Sequence, residues 1–193
     1  MKAIFVTILL FVPLAIADAS FPHYPAKRAK ECAVSAENAD VVVGLETVET
    51  SEAQKTYFGA NLVKNGFVPV FVVIENGMSS SSVIFDKTKV TYGPSASALP
   101  VAQTASIAGK TFAVAAIPFA GGFAAARVIS SDLEVRANLL EKELQSTTIS
   151  PGKSVRGFLY VPVKNKVSRE KIRLQITVAK AGTDDTLDFG LDF

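Results

Sequence analysis

Four aspartates crowd the C-terminal end, Asp184, Asp185, Asp188 and Asp192 in "GTDDTLDFGLDF". Among the residues able to do chemistry they are the first to suggest a ligand, calcium. That ion takes about six to eight converging oxygens, which a loop supplies and an extended strand does not. Asp188 and Asp192 fall on the outer face of an alternating strand, ~13 Å apart at ~3.3 Å per residue, so they cannot share one ion. Asp184 and Asp185 could contribute only to a weak site. The four read as solvated charges that discourage strand-to-strand aggregation.

Nucleophilic chemistry has little to draw on. Cys32 is the single cysteine and His23 the single histidine, so a zinc site built from several Cys and His ligands is excluded. Both lie in "SFPHYPAKRAKEC", which Pro22 and Pro25 punctuate and which reads as a flexible lead-in. A side chain without packed neighbours has neither its pKa nor its geometry held for catalysis. Serines are plentiful, as at 79–82, yet no G-x-S-x-G elbow occurs. Glu46, Glu49 and Glu52 are spaced as a strand edge and loop, unlike two carboxylates facing across a cleft. Gly121-Gly122 lacks the lysine and the preceding strand of a phosphate-binding loop. No catalytic residue, cofactor or metal is therefore expected, and a hydrolase is the last of the readings.

The loudest feature is apolar. "TFAVAAIPFAGGFAAARV", 111–128, carries no charge between Lys110 and Arg127. As one helix, Thr111 to Ala126 would extend ~24 Å, short of a hydrocarbon core of ~30 Å. Pro118 and Gly121-Gly122 would break it in the middle. In one reading two short helices fold back, with Phe112, Ile117, Phe119 and Phe123 packed beneath a neighbouring helix. In the other, the faces Ala116/Ala120/Ala124 and Gly121/Ala125 dock on a membrane or a second copy. Burying each of the four large side chains is worth roughly 1.5–3 kcal/mol. Leaving all four in water would forfeit on the order of 6–12 kcal/mol, the stability of a whole domain. Phe112, Ile117, Phe119 and Phe123 are thus the candidate partner or membrane contacts.

The surrounding elements are mostly strands. "ADVVVGLETVE" (39–49) puts Val41, Val43, Leu45 and Thr47 on one face, and "TSEAQKTYFGANLVKNG" (50–66) is polar and turn-rich. "FVPVFVVIEN" (67–76) is apolar almost throughout, which predicts a strand buried on both faces. "SVIFDKTKVTY" (82–92) is a half-exposed, irregular strand. A strand leads into the Pro151-Gly152 turn, and another runs from Val155 to Val163. Ile172, Leu174, Ile176 and Val178 alternate inward, as do Leu187, Phe189, Leu191 and Phe193. Between the 82–92 strand and the strand before Pro151, "SSDLEVRANLLEKELQ" predicts an amphipathic helix. Ser131 and Glu134 have capping-box spacing there, and Leu133, Ala137, Leu140 and Leu144 share the face that packs.

Met1-Lys2, an apolar run from Ala3 to Ile16 and Ala17-Asp18-Ala19 fit a secretory signal peptide cleaved before Ser20. Cleavage leaves the net charge at +2, too balanced for nucleic acid, which needs a clustered basic face. The short run Lys27–Lys30, "KRAK", offers at most weak contact with an anionic surface. The expected organisation is a signal peptide over 1–19, a flexible N-terminal segment over 20–39 and a domain over 40–193. That domain is mainly β, an immunoglobulin-like antiparallel β-sandwich with a helical insertion at about 97–145. The Cys…Trp…Cys core of antibody domains is absent, and the closing "FGLDF" lacks the strand number of an outer-membrane barrel.

"FVPVFVVIEN" followed late in the chain by "SPGKSVRGFLYVPV" resembles uncharacterised exported bacterial envelope proteins that carry such a sandwich and an apolar insertion. The resemblance covers roughly residues 57–178 and implies a periplasmic or extracellular location, with no established activity and no functional residues. The expected function is non-catalytic binding or assembly, through the insertion or a sheet edge, with a protein partner or by self-association. The alternative is a membrane-active protein whose 111–128 stretch enters lipid. Deleting 106–130 would distinguish a contact surface from a core element.

Overall fold

The computed structural model describes residues 21–93, 99–100, 133–163 and 172–193. They form a mainly β protein of two antiparallel sheets. The first sheet runs β1 (Val34–Asn38), β2 (Val41–Thr47), β3 (Phe67–Asn76), β8 (Ser154–Pro162). In the second, β9 (Arg173–Lys180) pairs with β10 (Thr186–Asp192) on one side. Its other side takes β4 (Val83–Phe85) and β5 (Thr91–Tyr92) in tandem, broken by a 3-10 turn at Lys87–Lys89. β7 (Thr147–Ile149) lies beyond β4, and β6 (Leu99–Pro100) beyond β5.

Alternation decides what each strand buries. Val41, Val43 and Leu45 of β2, Val70, Val72 and Ile74 of β3, and Leu159 and Val161 of β8 meet Val83, Phe85, Leu174, Ile176, Val178, Leu187, Phe189 and Leu191 of the second sheet in one core. The inward residues predicted for β9 and β10 are those observed. The half-exposed character expected over 82–92 takes the form of that broken strand, with Val83, Phe85 and Val90 buried.

β3 occupies the span expected of it and is buried at every position but Glu75. Its second face explains this: Phe67, Phe71 and Val73, with Phe158 and Tyr160 of β8, belong to a separate core on the outside of the first sheet. A third layer covers that face. It comprises α1 (Ser51–Phe58), a helix over 133–142 (α2), and residues 21–33.

Three expectations are corrected here. The stretch 50–66 contains a helix: Thr50 caps it by accepting from the Ala53 amide, and Gln54 and Phe58 form its buried side. The segment 20–39 is no flexible lead-in over its described part, because it contains β1 and packs Ala29 and Cys32 into the outer core. β1 joins β2 through Ala39 and Asp40, both at positive φ, the geometry of a two-residue hairpin turn. The third correction concerns α2. Its predicted inward residues Leu133 and Leu140 are 58% and 52% exposed and Ala137 is exposed, while Val135, Asn138 and Leu139 face the sheet. Leu144 is buried, but beyond the helix and in the core between the sheets.

Candidate functional site

The four apolar residues singled out as contacts, Phe112, Ile117, Phe119 and Phe123, lie outside the described residues, as do the signal peptide, Ser131 and most of the insertion. The described residues do show both ends of the insertion. It leaves from β6 in the second sheet and returns as α2 on the outer face of the first.

α2 is fastened by mixed chemistry. Val135 and Leu139, one turn apart, sit among Phe58, Phe67 and Tyr160 in the outer core. The buried Asn138 amide donates to the Tyr57 carbonyl at 2.9 Å, and the Tyr160 hydroxyl donates to the Leu139 carbonyl at 2.9 Å. Burial pushes the Tyr160 hydroxyl pKa well up, so Tyr160 acts as a neutral donor. Just past the helix, Glu143 forms a 3.0 Å ion pair with Lys87, and the carboxylate is almost wholly buried. The Leu144 amide then donates to the Phe158 carbonyl at 2.9 Å, which extends the edge of β8. This approach requires Gly157, where a Cβ would come within 2.8 Å of the Leu144 backbone. From there the chain crosses into β7 of the second sheet, so the returning limb of the insertion is bonded to both sheets.

On the opposite side of α2, Leu133, Ala137 and Leu140 form a row at i, i+4 and i+7. Leu133 and Leu140, with Ile84, are the large apolar residues that stand exposed among the described residues. The expected row of apolar residues is therefore real, but it points to solvent.

The N-terminal segment completes the face. The Tyr24 ring lies 4.8 Å from Phe71, 5.0 Å from Tyr57 and 5.2 Å from Phe158, edge-on to the last two. Its hydroxyl donates to Glu46 Oε1 at 2.7 Å, and Lys27 Nζ donates to Glu46 Oε2. Burial first, and then the bond to the Glu46 carboxylate, push the Tyr24 pKa up. For Glu46, burial works upward but the bonds from Lys27 and Tyr24 prevail and hold the carboxyl below its ordinary range. The rest of the basic run is also committed: Arg28 lies 3.8 Å from Glu75, and Lys30 pairs with Glu37 at 2.7 Å. Ala29 packs directly over Gly44, where a side chain would overlap the Ala29 backbone.

Cys32 is buried with its Sγ 3.6 Å from the Arg28 carbonyl. Burial, and secondarily the charge of Glu46, push its thiol pKa up, the reverse of what a nucleophile needs. The aspartates spread out: Asp188 accepts the Thr177 hydroxyl at 2.5 Å, and Asp185 lies 3.7 Å from Lys180. Among the described residues no three His, Cys, Asp or Glu side chains converge as a metal ion would require. No described helix is long and apolar enough to cross a membrane.

Sequence reasoning missed the buried amides. Gln54 donates to the Val48 carbonyl at 2.7 Å and accepts the Val63 amide at 3.0 Å. Asn76 donates to the Ser81 and Ile149 carbonyls and accepts the Met78 amide. No protein-family model, curated protein or solved structure matches this chain.

Proposed function

We propose that this chain is an exported, non-catalytic protein of the bacterial envelope. It works by binding or assembly, holding its apolar insertion out from an immunoglobulin-like scaffold. Strand order supports the scaffold reading. β2, β3 and β8 are neighbours in one sheet and β10, β9, β4 and β7 in the other, the succession A-B-E and G-F-C-C′ of such sandwiches, with β1 added. The observation that carries the function is the two-sidedness of α2. One side is fixed by Val135, Asn138 and Leu139, and the other leaves Leu133 and Leu140 more than half exposed where the insertion re-enters. A helix bound this firmly does not need an exposed leucine row for its own folding, so the row is free to serve a contact.

Site-specific photo-crosslinking tests the reading. A photoreactive residue replacing Leu140 in the exported chain is expected to give discrete protein adducts, and one replacing Asp188 none. A Leu133→Lys change should abolish those adducts while leaving the melting temperature within a few degrees. Adducts confined to lipid would favour membrane insertion instead, and none at position 140 would defeat the proposal.

A further inference from the structure

We infer that the free edge of β10 takes up an extended protein segment as an added antiparallel strand, one that carries basic residues four positions apart. The backbone of β10 divides into two sets. Phe193 and Ile172 exchange both amide–carbonyl bonds, at 3.0 and 3.1 Å, and at the other end the Lys180 amide donates to the Asp185 carbonyl at 2.9 Å. Alternation along an antiparallel pair then turns the backbone groups of Leu187, Phe189 and Leu191 toward β9. Those of Thr186, Asp188, Gly190 and Asp192 point away from it and have no backbone partner among the described residues. β1, the edge strand of the first sheet, runs beside β10 without bonding to it. The edge spans Thr186–Asp192 in unbroken register with β9 and holds no proline, lysine or bulge, devices that commonly close such an edge.

Charge selects the occupant. Asp188 and Asp192 stand exposed on the outer face of the strand. If two copies paired antiparallel about Gly190, Asp188 of each would lie opposite Asp192 of the other, and like charges directly opposite destabilise a pair. A second copy is thus disfavoured, whereas Lys or Arg at those two places matches. Asp188 accepts the Thr177 hydroxyl through Oδ1, which leaves its other oxygen for a cation. Between the two aspartates the Arg173 guanidinium lies over Gly190, where a Cβ would overlap it, so the residue opposite Gly190 is small and polar. The intervening positions fall opposite Phe189 and Leu191, whose side chains are buried, on the side where Val34 and Ala36 of β1 are half-buried. They call for apolar residues. The recognised pattern is therefore basic, apolar, small polar, apolar, basic, read by main-chain bonds along the edge and by side chains on either face. This edge is separate from the leucine row of α2, so either assignment can fail without the other.

Amide NMR titration of the exported chain with the capped peptide TKVTVKT, and with TEVTVET as its acidic counterpart, tests the assignment. The basic peptide is expected to shift the amides of Thr186, Asp188, Gly190 and Asp192 saturably and to slow their hydrogen exchange, with the acidic peptide at least tenfold weaker. Asp188→Asn with Asp192→Asn, both at exposed positions, should keep the fold and weaken the basic peptide about tenfold, the loss expected for two exposed ion pairs. Methylating the amide nitrogens of the two peptide lysines keeps the charge but removes bonds to the edge, and should abolish binding. Leu133→Lys should leave binding unchanged. The photoreactive replacement of Asp188 described above substitutes a bulky neutral group for a recognising carboxylate, so that control stays blank under both assignments. No saturable shift with TKVTVKT, equal binding of TEVTVET, unchanged binding of the methylated peptide, or a double variant that binds as the parent does would each overturn the proposal.

Discussion

Asn76 ends β3 with a side chain that serves three backbone groups, 2.9 Å from the Ser81 carbonyl, 3.0 Å from the Ile149 carbonyl and 3.1 Å from the Met78 amide. It is 1% exposed, so water cannot replace these bonds. One residue thereby joins the end of the first sheet to the start of β4 and the end of β7. Asn76→Ala is expected to cost about 2–4 kcal/mol, because it leaves buried carbonyls without donors as well as removing the bonds. Urea denaturation should show the lower midpoint with little change in slope, as befits a change in stability without a change in the surface exposed. Asn76→Asp should be no better, since a carboxylate cannot donate to the two carbonyls.

At the scale of elements, the returning limb of the insertion depends on contact between backbones. Gly157→Ala would set a methyl within 2.8 Å of the Leu144 backbone, and crowding of this kind costs about 1–3 kcal/mol. The Glu143–Leu144 stretch should then loosen from β8, seen as faster hydrogen exchange at Leu144 with β3 amides unchanged. None of this attachment was legible in the sequence, because a glycine in a strand does not say which segment approaches it. Strands were legible where burial is one-sided, as in β9 and β10, or complete, as in β3, since each leaves a period in the apolar residues. α1 was obscured by a buried Gln54, although Thr50 and Gly59 bracket it with an ordinary start signal and an ordinary stop signal. α2 was found but turned the wrong way. Counting apolar residues selects Leu133, Ala137 and Leu140, whereas the buried face is held by Asn138 between Val135 and Leu139. Polar residues that bury by bonding to a backbone carbonyl carry no hydropathy signal, and here they decide orientation.

For the whole molecule, the first sheet works as a middle layer, and the third layer over it is closed by a segment from the N-terminal end. That closure is electrostatic as well as aromatic: Glu46 on β2 receives Tyr24 and Lys27 together, in a partly buried site. The bonds hold the folded carboxyl below its ordinary value of 4.5. Between the folded and unfolded pKa values the unfolded chain binds more protons, so stability rises with pH across that window. Glu46 thus contributes fully above about pH 4.5, and its contribution is lost as pH falls through the depressed folded value. Glu46→Gln should lower stability at neutral pH and flatten the acid limb of the stability curve, while the two cores, which hold few charges, still fold together. The layered arrangement also says where the first acid-induced change should appear. Protonation releases the acceptor of Tyr24 and Lys27 before anything in the core between the sheets, so Tyr24 fluorescence and hydrogen exchange around Ala29 should respond at higher pH than the amides of β9. Simultaneous loss of both signals in the parent chain, with the same midpoint in Glu46→Gln, would show that the N-terminal segment is not held through this carboxylate.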